Sequence, residues 1–282
     1  MPRVFLLVSY PKSGNTWLRA LLTALRSERA DLDINDMGEI ALLARKDFDA
    51  VLLVESSSLT AAEIAEARPA FMRRWAREKP SETLLVKVHE ANLPYPGTVV
   101  CPYPPDSVAG VVYLIRDPRD VAVSLASHYS LPVDEVIGIM AKSRFVISRG
   151  QNSLSDQLPQ LASTWSAHVA SWLDARDFNL HPVRYEELLA DTPARLMEIA
   201  RFLDLNATPE TVARAVSSAS FQNLQRQEAA AGFRERPDAM PRFFRRGEAG
   251  GWHDSLTPSQ VARIEHDHRE TMIRLGYLTA VC

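Results

Sequence analysis

The chain has 282 residues, 46% of them hydrophobic and 24% charged, with a formal net charge of −3. That length and apolar content suit the packed core of a soluble α/β protein. No apolar stretch reaches the span of a bilayer, and the near-neutral balance excludes the broad basic field of a nucleic-acid binder. The two cysteines, Cys101 and Cys282, make no disulfide framework, and the first apolar run is too short for a signal peptide. A cytoplasmic protein is the expectation.

The run at 4–8 (VFLLV) reads as a buried parallel strand. A polar turn, Pro11-Lys12-Ser13-Gly14-Asn15, leads from it into a helical pattern that opens at Thr16-Trp17. Strand, tight turn and helix N-terminus together make an anion site, because the first backbone N–H groups of a helix lack partners and its dipole is positive there. Lys12 adds a mobile charge, and Ser13, Asn15 and Thr16 add donors. The spacing differs from the common triphosphate loop G-x-x-x-x-G-K-[ST], since Lys12 stands two residues before the only Gly.

A charged, helix-leaning insert follows at 27–82, with a capping box at Thr60-Ala61-Ala62-Glu63. The strand at 83–88 ends in His89, at the edge where open parallel sheets bind ligands. A neutral histidine there can take a hydroxyl proton. Lys87 shares its face of the strand. Pro94, Pro96, Pro102, Pro104 and Pro105 mark an irregular loop. The strand at 110–115 then delivers Arg116, whose fork suits a phosphate. A purely structural pairing of Arg116 with Asp117 or Asp120 is the alternative. Pro118 opens the next helix, which carries Ser124. A polar, mobile loop is expected at 147–157.

Leu158, Leu161, Trp165, Val169 and Trp172 recur at helical spacing and are expected to face the core, as are Leu196, Ile199, Ala200 and Leu203. Between them, a strand at 179–184 delivers Tyr185. Near the end, Arg245-Arg246-Gly247 precede a Gly-rich bend and form a compact anion trap. The alternation of strands and helices predicts an α/β fold, a single domain over 1–282 with a central parallel sheet flanked by helices and a P-loop-like strand-turn-helix. No His, Cys or carboxylate spacing suggests a metal.

Five segments in chain order resemble the soluble, cytosolic sulfotransferases that use 3′-phosphoadenosine 5′-phosphosulfate (PAPS). Residues 11–17 (PKSGNTW) resemble that family's P-K-S-G-T-T-W loop, with Asn15 in place of Thr. Lys87-Val88-His89 resembles K-T-H, whose His is the catalytic base. Residues 116–124 (RDPRDVAVS) resemble R-N-P-K-D-V-A-V-S, in which Arg and Ser hold the 3′-phosphate. Tyr185-Glu186-Glu187-Leu188 resembles Y-E-D-L, whose Tyr contacts the cofactor. Residues 245–252 (RRGEAGGW) resemble R-K-G-x-x-G-D-W, which closes over the 3′-phosphate. Two smaller likenesses place His168 as structural and Phe221 on the adenine opposite Trp17.

The resemblance implies sulfuryl transfer from PAPS, without a metal, to a hydroxyl of a small-molecule acceptor, an amine being the lesser alternative. It implies His89, Lys12 and Lys87 as catalytic residues. Lys12, Ser13, Gly14, Asn15, Thr16 and Trp17 would form the 5′-phosphate and base cradle. Arg116, Ser124, Arg245, Arg246 and Gly247 would hold the 3′-phosphate, with Tyr185 and Phe221 beside the nucleoside. The family's dimer segment survives here only in Thr257, which leaves the oligomeric state open. An ATP-dependent phosphotransferase would instead need Mg²⁺ and an acidic strand end, where this chain has His89, Arg116 and Tyr185. A nucleotide-binding module that has lost its chemistry is the non-enzyme alternative; retention of both Lys12 and His89 argues against it, and turnover decides.

Overall fold

The computed structural model describes residues 2–27, 32–37, 40–79, 82–148 and 155–280. Its elements are β1 (Arg3–Ser9), α1 (Asn15–Arg26), β2 (Ile40–Leu42), α2 (Arg45–Leu52), α3 (Ala61–Glu78), β3 (Thr83–Val88), β4 (Gly110–Ile115), α4 (Pro118–Tyr129) and α5 (Val133–Met140). There follow β5 (Val146–Ile147), β6 (Gln160–Leu161), α6 (Trp165–Leu173), β7 (Leu180–Arg184), α7 (Tyr185–Ala190), α8 (Thr192–Phe202), α9 (Pro209–Ser218), α10 (Phe221–Ala231) and α11 (Pro258–Arg274).

The central sheet has the order β2-β3-β1-β4-β7. β3 pairs in parallel with β1, Val4 opposite Leu84 and Val8 opposite Val88, and in parallel with β2. β4 is buried along its whole length, as its unbroken apolar run requires of a strand covered on both faces. The α/β class and the parallel sheet follow the expectation.

Two differences stand out. β2 lies inside the charged insert and was not expected; it is three residues long. Leu158 and Leu161 are buried, yet they precede α6 instead of lying on it, and Leu161 belongs to the short strand β6. The helix starts where Thr164 accepts from Ala167 N–H and caps it. The Thr60–Glu63 capping box forms as read, each side chain answering the other's backbone. Of the polar loop expected at 147–157, residues 149–154 lie outside the described residues, and Ile147 is the second residue of β5.

The chain groups into two compact units. The first comprises Met1–Tyr10, Ile40–Tyr113 and Met140–Pro182; the second comprises Pro11–Glu39, Leu114–Ile139 and Val183–Cys282. The first unit carries the sheet, apart from the last residues of β4 and β7. Among the described residues no helix is long and apolar enough to cross a membrane.

Candidate active site

In the second unit the turn after β1 is shaped by two left-handed residues, Lys12 at φ 67° and Gly14 at φ 99°. Gly14 is the N-cap of α1, offers no side-chain cap, and is followed by no acidic residue in the first turn. The positive end of α1 is therefore uncompensated. A Cβ on Gly14 would stand 2.6 Å from the Tyr185 ring, so only glycine fits there. Ser13 is buried, and among the described residues its Oγ has no hydrogen-bond partner. A buried hydroxyl without a partner is costly, and here it lies in a turn of anion-binding form. Asn15 is buried as the first residue of α1, and Thr16 and Trp17 are half-buried beside it.

Arg116 reaches the same turn. Its Nη1 donates to the Lys12 carbonyl at 3.3 Å and its Nη2 to the Glu248 carbonyl at 2.9 Å. Its guanidinium lies 4.4 Å from the Tyr185 ring centre, while its buried Nε has no hydrogen-bond partner among the described residues. Asp117 caps α4 and is held by Arg119 at 2.6 Å. Asp120 pairs with Arg116 at 4.0 Å, the structural pairing named as the alternative, and also accepts from Gly250 N–H and Trp252 N–H at 2.7 and 3.0 Å. Burial raises the Asp120 carboxyl above its ordinary range, opposed by Arg116 and these amides. Ser124 is half-buried on α4.

The segment leading to the Gly-rich bend is hung on α10. Buried Glu228 accepts from Phe243 N–H at 2.7 Å and Phe244 N–H at 3.0 Å, and Gln225 donates to the Phe244 and Arg245 carbonyls. Arg245 is exposed. Its pKa is lowered by partial burial and then by the cations Arg246 and Arg116, the mark of concentrated positive charge. Arg246 is drawn to Glu248 at 3.3 Å. Gly247, at φ 64°, lies under the Phe221 ring, where a Cβ would come within 2.3 Å. Trp17 Nε1 donates to the Ala219 carbonyl at 3.1 Å, two residues before Phe221. The Lys12 ammonium lies 4.2 Å from the Phe243 ring centre.

The first unit holds His89 and Lys87. His89 Nδ1 is 2.9 Å from the Ser9 carbonyl oxygen and 3.2 Å from Ser9 Oγ. A carbonyl only accepts, so Nδ1 carries a proton, and in the neutral ring the lone pair is then on Nε2, the tautomer a base requires. The His89 backbone N–H donates to Gln160 Oε1 at 2.8 Å. Lys87 is half-buried on β3, opposite Leu7 of β1. His168 is fully buried, with Nδ1 2.8 Å from Tyr113 Oη and its ring edge-on to Tyr10. Burial lowers its pKa to about 3, which keeps it neutral and fits the structural reading.

A family model described as the sulfotransferase domain matches residues 2–276. The chain belongs to the sulfotransferase family. Among curated relatives, it is 26% identical to cytosolic sulfotransferase 17 of Arabidopsis thaliana over 294 aligned residues, covering 99% of this chain and 77% of the relative. Its fold is similar to that of mouse sulfotransferase SULT7A1 complexed with PAP, with a TM-score of 0.61, 20% identity, and 96% and 84% of the two chains covered. It is similar also to retinol dehydratase in complex with androsterone and the inactive cofactor PAP, with a TM-score of 0.61, 21% identity, and 95% and 80% covered. As a family member this sulfotransferase is a sulfuryl-transfer enzyme with PAPS as donor.

The second unit's groups fit such a donor. Among the described residues Ser13 Oγ and Arg116 Nε are donors without acceptors, and Gly14 and Gly247 leave backbone bare where side chains would obstruct. Sequence reasoning missed Asp120, Glu228 and Gln225, which hold this sulfotransferase's Gly-rich bend and the segment before it. Of these, only Asp120 lay in a quoted motif. The contacts of Glu228 and Gln225 span 15 to 20 residues and leave no local pattern.

Proposed function

We propose that this sulfotransferase acts on a hydroxyl of a small-molecule acceptor in the cytoplasm, as one catalytic domain over 1–282, with His89 as general base. The observation that carries the reading is the 2.9 Å contact between His89 Nδ1 and the Ser9 carbonyl, which turns Nε2 of the neutral ring into the basic nitrogen. His89 Nε2 takes the hydroxyl proton as the acceptor oxygen bonds to sulfur. Lys12 meets the charge that grows on the bridging oxygen as the sulfur–oxygen bond to the leaving phosphate breaks. Lys87 neutralises the sulfuryl oxygens.

The 5′-phosphate is assigned to Ser13, Gly14, Asn15 and Thr16 at the start of α1. The 3′-phosphate is assigned to Arg116, Ser124, Arg245, Arg246 and Gly247. Trp17, Tyr185 and Phe221 are assigned to the nucleoside. PAPS supplies the sulfuryl group, and the protein's share is positioning and fixed charge. Retinol and androsterone, bound by proteins of this fold, carry hydroxyls, which supports the acceptor class.

Two phosphate sites require that adenosine 3′,5′-bisphosphate (PAP) binds far better than adenosine 5′-monophosphate. Charge-assisted bonds of ~1.5–3 kcal/mol correspond to a gap of roughly 10–100-fold. Titration calorimetry without Mg²⁺ checks it. Equal affinities, or a preference for ATP that needs Mg²⁺, would replace this reading with phosphoryl transfer. A screen of hydroxylated acceptors with radiolabelled PAPS then identifies the acceptor.

A further inference from the structure

Immediately after His89 comes a buried acid. Glu90 is 1% exposed, and its carboxylate meets the guanidinium of Arg68 on α3, which is 0% exposed. Glu90 Oε2 also accepts from Tyr103 Oη at 3.1 Å, and Oε1 accepts from Leu161 N–H at 3.4 Å. Arg68 Nη2 donates to the Pro159 carbonyl at 2.7 Å. The pair thus ties α3 to the segment 159–161.

That same segment holds the backbone around His89. Gln160 Oε1 accepts from His89 N–H at 2.8 Å, and the Leu161 carbonyl accepts from Ala91 N–H at 2.8 Å. Trp172 Nε1 donates to the Glu90 carbonyl at 2.9 Å. Polar groups of three consecutive residues, 89 to 91, are thereby fixed, and with them the place from which the His89 ring reaches Ser9.

A buried ion pair is a poor stabiliser, because desolvation of both charges offsets their attraction and apolar replacements often serve as well. Desolvation indeed lowers the Arg68 pKa. In some proteins such a pair fixes the register between the elements it joins, and here Glu90 stands next to His89.

We propose that Glu90, with Arg68 and Gln160, positions the general base His89; the proposal rests on the reading of His89 as base. None of the three is a catalytic residue. A ring displaced by about 1 Å loses on the order of 10²-fold in rate, so the effect belongs to kcat and acts only through His89.

The test is a double-mutant cycle. Gln160→Leu, and the paired replacement Arg68→Met with Glu90→Leu, are each made with His89 present and with His89→Ala. Readouts are kcat and acceptor KM with radiolabelled PAPS and the acceptor from the screen, together with PAP affinity. With His89 present, kcat falls roughly 10–100-fold while PAP affinity is kept. In the His89→Ala background neither change costs anything further.

An equal loss in both backgrounds, or full kcat in both variants, overturns the proposal. His89→Ala at normal turnover would instead sink the reading of His89 as base. The paired variant removes both charges so that neither is left buried alone. If it does not fold, Gln160→Leu, which keeps the ion pair, decides by the same comparison.

Discussion

Lys12 and Arg116 are cations of the same loop system with different tasks. Lys12 carries its charge on a long stem from a left-handed residue, its carbonyl held by Arg116. Arg116 is braced by two carbonyls and the Tyr185 ring, which suits a phosphate that does not react. Lys12→Met is therefore expected to lower kcat by roughly 10²–10³-fold, the usual cost of losing a group that stabilises transition-state charge, with a smaller effect on PAP binding. Arg116→Met is expected to weaken PAP binding by roughly 10–100-fold, as loss of charge-assisted bonds does, with a smaller effect on kcat. Steady-state kinetics at varied PAPS, beside direct PAP binding, separates them. The reverse pattern would exchange the two assignments. These cations and His89 were legible as residue types at strand ends. The tautomer of His89 was not, because it depends on Ser9, 80 residues away.

At the scale of elements, the bend after Phe244 is built around two left-handed glycines with different neighbours. A Cβ on Gly247 would enter the Phe221 ring, whereas one on Gly250 would meet only His253 Cδ2 at 3.8 Å. Both Gly→Ala changes carry the left-handed penalty of roughly 1–2 kcal/mol. Only Gly247→Ala must also displace Phe221. It is expected to weaken PAP binding by about tenfold more than Gly250→Ala, an additional ~1.4 kcal/mol, with both variants folded by circular dichroism. Equal affinities would detach Phe221 from the nucleotide.

The strands at 83–88 and 110–115 have the bounds read from the sequence; for 110–115 the reason is that a strand buried on both faces has no alternation to blur its ends. β2 escaped notice because three residues in a charged insert carry no period. Leu158 and Leu161 show the converse error: apolar spacing fits a helix by chance, and the Thr164 cap was the better boundary signal.

Across the molecule, each unit buries one histidine. His168, in the first, is held neutral by burial with its pKa lowered to about 3; His268, on α11 in the second, is lowered by burial to about 4, against the pull of Asp267. In the unfolded chain both titrate near ~6.5. Between about pH 6.5 and about pH 4 the unfolded chain therefore binds more protons than the native one, so stability falls as pH falls. The loss approaches ~1.4 kcal/mol per pH unit for each histidine, and above about pH 7 it vanishes. Asp120 works in the opposite sense, because its raised carboxyl favours the native state as it protonates. A comparison of variants cancels that contribution. Urea unfolding of the wild type and of His268→Gln between pH 7.5 and 5 is expected to give a flatter pH profile for the variant, by up to one proton's slope. His168→Gln is expected to flatten the profile in the same way, while its loss of the Tyr113 contact lowers the whole curve. Profiles parallel to the wild type at every pH would mean that neither histidine is kept neutral by the fold.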